Sequence, residues 1–239
     1  MRKALALILV AALGVAMIAG VIGLPPPGSP DTPVQTHVSA RYIDGGHEAA
    51  GAHNLVTGVL LNYRAIDTFG EVTVIFTALI AVLAAAASGR RANSATFDRD
   101  RRSARVPVSP VVSFVVRLMA PFIAVFALFV MLKGHESPGG GFQGGVVLGA
   151  MLILLAMFSG RSDRAGDRTV SPGVLGGLRA AGPLVFGAVA LIGVAASEWM
   201  FSLPAHPAWR EAIMIGLELG IGIGGAAVLI GLFRALEEQ

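Results

Sequence analysis

The chain has no cysteine, and only 14% of its 239 residues are charged and 7% aromatic. Without thiols there is no disulfide, no thiolate metal site and no cysteine nucleophile. A soluble domain carries about 25% charged residues, so the low charge excludes an ordinary water-facing surface. A pI near 9.9 and a net charge of +3 would suit nucleic acid. The basic residues, however, form no stripe interleaved with aromatic side chains, which excludes that partner. Gly-x-Ser-x-Gly, His-Glu-x-x-His and a dinucleotide fingerprint with its strand pattern are all missing, so no residue set supports an enzyme or a bound cofactor. What is present is a 54% hydrophobic chain with 31 glycines and a mean hydropathy of +0.73. Glycine is enriched in membrane helices, where it lets neighbouring backbones approach closely. The fold class is therefore all-α, a polytopic membrane protein.

A membrane helix needs roughly 20 apolar residues to cross a core of about 30 Å. Six such segments can be read: Ala4 to Leu24, Val72 to Ser88, Val111 to Leu132, Gly144 to Ser159, Ala180 to Met200 and Ala212 to Phe233. The second and fourth are short. With the N-terminus inside, the cytoplasmic side receives Arg2 and Lys3, the group Arg90, Arg91, Arg99, Arg101, Arg102 and Arg105, then Arg161, Arg164, Arg168, Arg179 and Arg234. The outside keeps only Arg41, Arg64, Lys133 and Arg210. Because Lys and Arg in short loops set orientation, both termini are expected in the cytoplasm. Arg2 and Lys3, an apolar run and Pro25-Pro26-Pro27 also fit a secretory signal peptide. The run is long for that and shows no clear small-x-small cleavage site, which favours a retained anchor. Residues 25–52 should form an irregular external loop. Residues 91–110 read as a basic cytoplasmic linker between a membrane module at 1–90 and another at 111–239.

Two stretches and three isolated charges stand out. After Val56-Thr57-Gly58 come Asn62, Arg64, Asp67 and Glu71. On a continuous helix the last three share a face, where the cation would neutralise the carboxylates. Asp67 and Glu71 are candidates for helix capping, for contact with a neighbouring protein, or for an ion path. The second stretch, Gly134-His135-Glu136-Ser137-Pro138-Gly139-Gly140-Gly141-Phe142-Gln143-Gly144-Gly145, lacks the Gly-Lys-Ser/Thr of a phosphate loop. Its glycines suit a tight connection and close helix packing. His135 titrates near neutral pH and is a candidate proton handler or a hydrogen-bonding turn residue. One His beside one Glu is too little for a metal site. Glu198 ends the fifth span at the interface. Glu218 is embedded in the sixth, where an ionisable group is by default a functional-site hypothesis and otherwise a polar link between helices. Arg117 in the third span has the opposite sign.

The stretch from Leu118 to Gly145, with its glycine motif, resembles the B subunit of Mrp-type multisubunit Na+/H+ antiporters, the MnhB/MrpB family, and the likeness extends from Val111 to the C-terminus. The stretch from Val56 to Val74 is similar to the E subunit of membrane-bound hydrogenases and to the C-terminal region of the large A-type protein of the antiporters. The resemblance implies a small non-catalytic subunit in the cell membrane of a prokaryote, packed with other small subunits beside large antiporter-like ones. It would help form a Na+ or H+ pathway, with Glu71, Asp67, Glu218 and His135 as path candidates and Arg64 and Arg117 as charge partners. Gly139, Gly140, Gly141, Gly144 and Gly145 would pack the helices. Glu136 stands where the family commonly has Asn, and Asn62 where the large A-type protein usually has Asp. The alternatives are a membrane component of a hydrogenase-type ion pump and a purely structural role in assembly.

Overall fold

The computed structural model describes residues 2–93, 109–158, 172–197 and 199–237, which are helical with no strand among them. Most of the basic linker and Glu198 lie outside the described residues. The chain divides into two compact units, Met1–Gly45 and Gly46–Gln239.

In the first unit, helix α1 (Arg2–Ile22) is apolar on every side and its side chains are almost all exposed. A helix hydrophobic all round belongs in lipid or against other membrane helices. The expected irregular loop is largely helical from Val34: a π-helical turn, Val34–Val38, runs into α2 (Ser39–Asp44). Thr32 starts it, its hydroxyl accepting from the Gln35 amide at 3.3 Å and its carbonyl from the Thr36 amide at 3.0 Å. A polar residue that suggests a loop thus bonds the first turn of the helical stretch.

The second unit opens with α3 (Gly46–Ala50) and α4 (Leu55–Gly58), then a π-helical turn, Val59–Tyr63. Asn54 caps α4, its side-chain oxygen accepting from the Val56 amide at 3.1 Å. Arg64, at φ −129° and ψ 35°, breaks the helix before α5 (Ala65–Asn93) begins. This short segment buries Thr57, Gly58 and Leu61 inside the protein. Then follow α6 (Pro110–Leu132), α7 (Gly141–Phe158), α8 (Pro172–Arg179), α9 (Ala181–Ser197) and α10 (Pro207–Glu237).

Among the described residues five helices are long and apolar enough to cross a membrane: Lys3–Ile22, Ala65–Ala86, Pro110–Leu132, Gly141–Phe158 and Pro207–Leu236. The fifth expected span is α9, which at 17 residues covers about 26 Å. It stops because the chain folds back on it: a side chain at Gly193 would stand 2.8 Å from the Trp199 carbonyl oxygen and 2.9 Å from the Phe201 amide nitrogen. Phe201 adopts φ +60°, a costly conformation for a bulky residue. It is offset by a buried ring that meets Phe69 and Phe186 at centroid separations of 6.0 and 6.1 Å.

Helix α10 is central, with 61% of its apolar window buried against 17–28% for α5, α6 and α7. One face carries Glu218, Gly222 and Ala226, which meet Gly141, Gly145 and Gly149 of α7 in the same order, so α7 and α10 run parallel. Its other face sets Gly220 against Val185 and Gly224 against Gly182, so α9 runs antiparallel to it. Helices α6 and α7 form an antiparallel hairpin, with Met131 and Ala127 filling the space over Gly144 and the Ser113 hydroxyl bonding the Phe158 carbonyl at 2.9 Å. Small residues at a regular four-residue spacing make this close approach possible.

Candidate functional site

The parallel register of α7 and α10 decides where Glu218 points. Its side chain, on a residue only 4% exposed, faces the first residue of α7. The Gly141 amide donates a short hydrogen bond to Oε2. At a helix start the backbone N–H groups have no intrahelical acceptor and the helix dipole is positive, so a carboxylate is well placed there. Gly139 and Gly140, at φ +153° and +136°, turn the chain into α7, and the Gly140 amide bonds the Val130 carbonyl at 3.2 Å. A Cβ at Gly134 would lie 2.8 Å from Glu218 Oε1, and one at Gly140 3.0 Å from Oε2. These glycines are therefore required by the carboxylate as well as by the turn.

The other wall comes from α4. The Thr57 hydroxyl, buried, donates to the Gly134 carbonyl at 2.7 Å and stands 3.5 Å from Glu218 Oε1. A hydroxyl can donate its proton and also accept through its lone pairs, so Thr57 can donate weakly to Oε1 of an ionised Glu218 or accept from a protonated one. Asn54 fixes the loop by donating from Nδ2 to the carbonyls of Gly134 at 2.8 Å and Ser137 at 3.0 Å. No salt bridge reaches Glu218 among the described residues.

His135 lies in the same loop, 5% exposed, with its carbonyl accepting from the Asn54 amide at 3.0 Å. Its Nε2 is 3.3 Å from Glu211 Oε1 and 3.7 Å from Glu136 Oε1, and neither ring nitrogen has a hydrogen-bond partner among the described residues. Glu211 sits seven residues before Glu218, on the same side of α10 and nearer its start. Glu136 Oε2 accepts from Lys133 Nζ at 2.7 Å, a bond that holds the Glu136 carboxyl below its usual range.

The remaining expected residues are not brought into this site. Asp67 pairs with Arg64 through Nε at 2.6 Å, both exposed, and Glu71 is also exposed. Arg64 stands outside the helix yet still neutralises Asp67, while Asp67 and Glu71 share a face of α5 as their spacing implies. Arg117 lies on an exposed face of α6, 15 residues and so about 22 Å before the end that meets Glu218. It is not the partner of that carboxylate. Sequence reasoning misses Thr57, Asn54 and Glu211; a threonine and an asparagine at the start of an otherwise apolar run are the available signal.

Fold and site together define a multi-pass helical membrane protein built around a buried carboxylate in a glycine cradle. Within that class the chain belongs to the family described as a domain related to the MnhB subunit of Na+/H+ antiporter, whose model matches residues 111–235. The MbhE family model, which describes the E subunit of MBH, matches residues 1–102, so an MbhE-like module is fused to an MnhB-type one, as the motif resemblances imply. The probable K(+)/H(+) antiporter A/B subunit of Rhizobium meliloti (strain 1021) is 27% identical over 144 residues, 54% of this chain and 14% of that protein. An uncharacterized protein of Methanocaldococcus jannaschii is 26% identical over 121 residues, 46% of this chain and 45% of that protein. The chain thus spans less than half the length of these relatives. A chain of the Mrp complex from Dietzia sp. DQ12-45-1b shares the fold at TM-score 0.65 and 24% identity, over 98% of this chain and 26% of that one. A chain of the membrane-bound sulfane sulfur reductase, an archaeal respiratory membrane complex, is similar at TM-score 0.54 and 25% identity, over 96% of this chain and 97% of that one.

Proposed function

We propose that the chain is a small non-catalytic subunit of a multisubunit cation/proton antiporter, and that Glu218 is the carrier group of a Na+ or H+ pathway through its second unit. The observation that carries this reading is a carboxylate buried in membrane helices with no salt-bridge partner among the described residues. Ionised, it leaves a charge deficit that a proton or an alkali ion fills, and embedded ionisable groups of this kind mark ion pathways. The cradle accepts either state through the Gly141 amide and the Thr57 oxygen. Asp67 and Glu71, exposed on α5, suit contact with neighbouring subunits that complete the path. The modules 1–90 and 111–239 would be joined by the basic linker 91–110, with both termini in the cytoplasm and the Glu218 entrance outside.

The test is cation/proton exchange by the complete complex in vesicles. Glu218→Gln should assemble normally and lose most of the exchange. Normal exchange by an assembled Glu218→Gln complex removes this residue from the path and leaves the packing role alone.

A second reading, a membrane component of an ion-pumping redox complex, is favoured by the end-to-end match to the sulfane sulfur reductase chain. Genes for iron-sulfur proteins beside this one would select it; their absence would select the antiporter.

A further inference from the structure

We propose that His135, Glu136 and Glu211 form a binding site for one divalent transition-metal ion of the zinc class. This goes beyond the ion-path reading and stands without it.

A buried polar side chain without a hydrogen-bond partner is destabilising and calls for an explanation. His135 is such a side chain: its ring is buried and neither nitrogen is hydrogen-bonded among the described residues. The ring is aimed at carboxylates. The ligand atoms of His135, Glu136 and Glu211 all lie within 4.8 Å of one another, with Nε2 at 3.3 Å from one carboxylate oxygen and 3.7 Å from the other. Zinc–nitrogen and zinc–oxygen bonds of about 2.0–2.2 Å in a tetrahedron separate the ligand atoms by about 3.3–3.6 Å. The two histidine separations are close to that already. Glu136 and Glu211 are about half exposed, with side chains 45% and 52% accessible, so they have room to close on an ion and the fourth position is open to water.

The donor set selects the ion. An imidazole with two carboxylates suits zinc and its transition-metal neighbours, whereas magnesium and calcium take oxygen ligands. Glu136 keeps the Lys133 bond on Oε2 while Oε1 turns to His135, so the lysine does not occupy the ligand atom. Because His135 and Glu136 come from the α6–α7 loop and Glu211 from the start of α10, a bound ion would fasten that loop over the entrance to Glu218.

The experiment is calorimetric titration of the metal-stripped, detergent-solubilised complete complex with ZnCl2, alongside CoCl2 followed by visible absorption. Wild type should bind one equivalent more than Glu211→Gln or Glu136→Gln, or bind it at least about tenfold more tightly. The cobalt adduct should show the intense bands of a low-coordinate site, lost in both variants, and MgCl2 should give no comparable binding. Glu136 lies in a turn outside the helices, so its variant decides the matter even if Glu211→Gln fails to assemble. Zinc stoichiometry and affinity unchanged in an assembled Glu136→Gln complex would overturn the site. So would the absence of zinc binding to wild type.

Discussion

Glu218 and Asp67 are both carboxylates on apolar helices, and the fold treats them oppositely. Asp67 has an arginine three residues before it and stays exposed, so its pair adds about 0–1 kcal/mol to stability. Glu218 has no ionic partner among the described residues and is held by one backbone amide and a threonine oxygen. The network around it should be measurable through its neutral members. Asn54→Ala removes a helix cap and two donations to the loop, and should cost roughly 2–3 kcal/mol. Thr57→Val removes one donation, leaves the Asn54 bond to Gly134 in place, and should cost about 1 kcal/mol. Thermal unfolding of the solubilised complex ranks the two; equal effects would mean that the cap and the second Asn54 donation together contribute nothing.

At the scale of the element, glycine spacing decides which helices touch. A side chain at Gly145 would put its Cβ 2.8 Å from the Gly222 carbonyl oxygen and 2.9 Å from its Cα. Neither atom can move without displacing α10. Gly145→Leu should therefore separate α7 from α10, uncover Glu218 and abolish assembly, as judged by size-exclusion of the purified complex. Gly187 lies in α9 with nothing within 4 Å of an added Cβ. Gly187→Ala should assemble as wild type, with a gain of up to about 1 kcal/mol from helix propensity. Similar behaviour of the two variants would show that glycine content, and not the α7–α10 register, controls assembly.

At the scale of the whole molecule, the uneven distribution of Lys and Arg predicts an orientation, and the absence of native cysteine makes it simple to check. A single cysteine at exposed Ser202, in the turn before α10, should react with a membrane-impermeant maleimide in intact cells. One at Ser103, in the basic linker, should react only after lysis. The reverse pattern would invert the topology and put the Glu218 entrance on the cytoplasmic side.

The amino-acid sequence determined that this is an all-helical membrane protein with two motif-bearing modules, because hydropathy over about 20 residues and loop charge are local properties. It also isolated Glu218 and the glycine loop, since an acid in an apolar helix and a run of glycines need no partner to be noticed. Their meeting was decided by tertiary structure. Gly134 and Glu218 are far apart in the chain, and only the parallel packing of α7 on α10 brings the carboxylate to a helix start. The same holds for Thr57, and for Glu211 beside His135: each is unremarkable in its own segment and gains its role from a neighbour on another helix. Asp67 and Glu71 show the converse. Both share a face of α5, as their spacing implies, but no other helix among the described residues covers them, and the backbone turn leaves only Arg64 outside the helix.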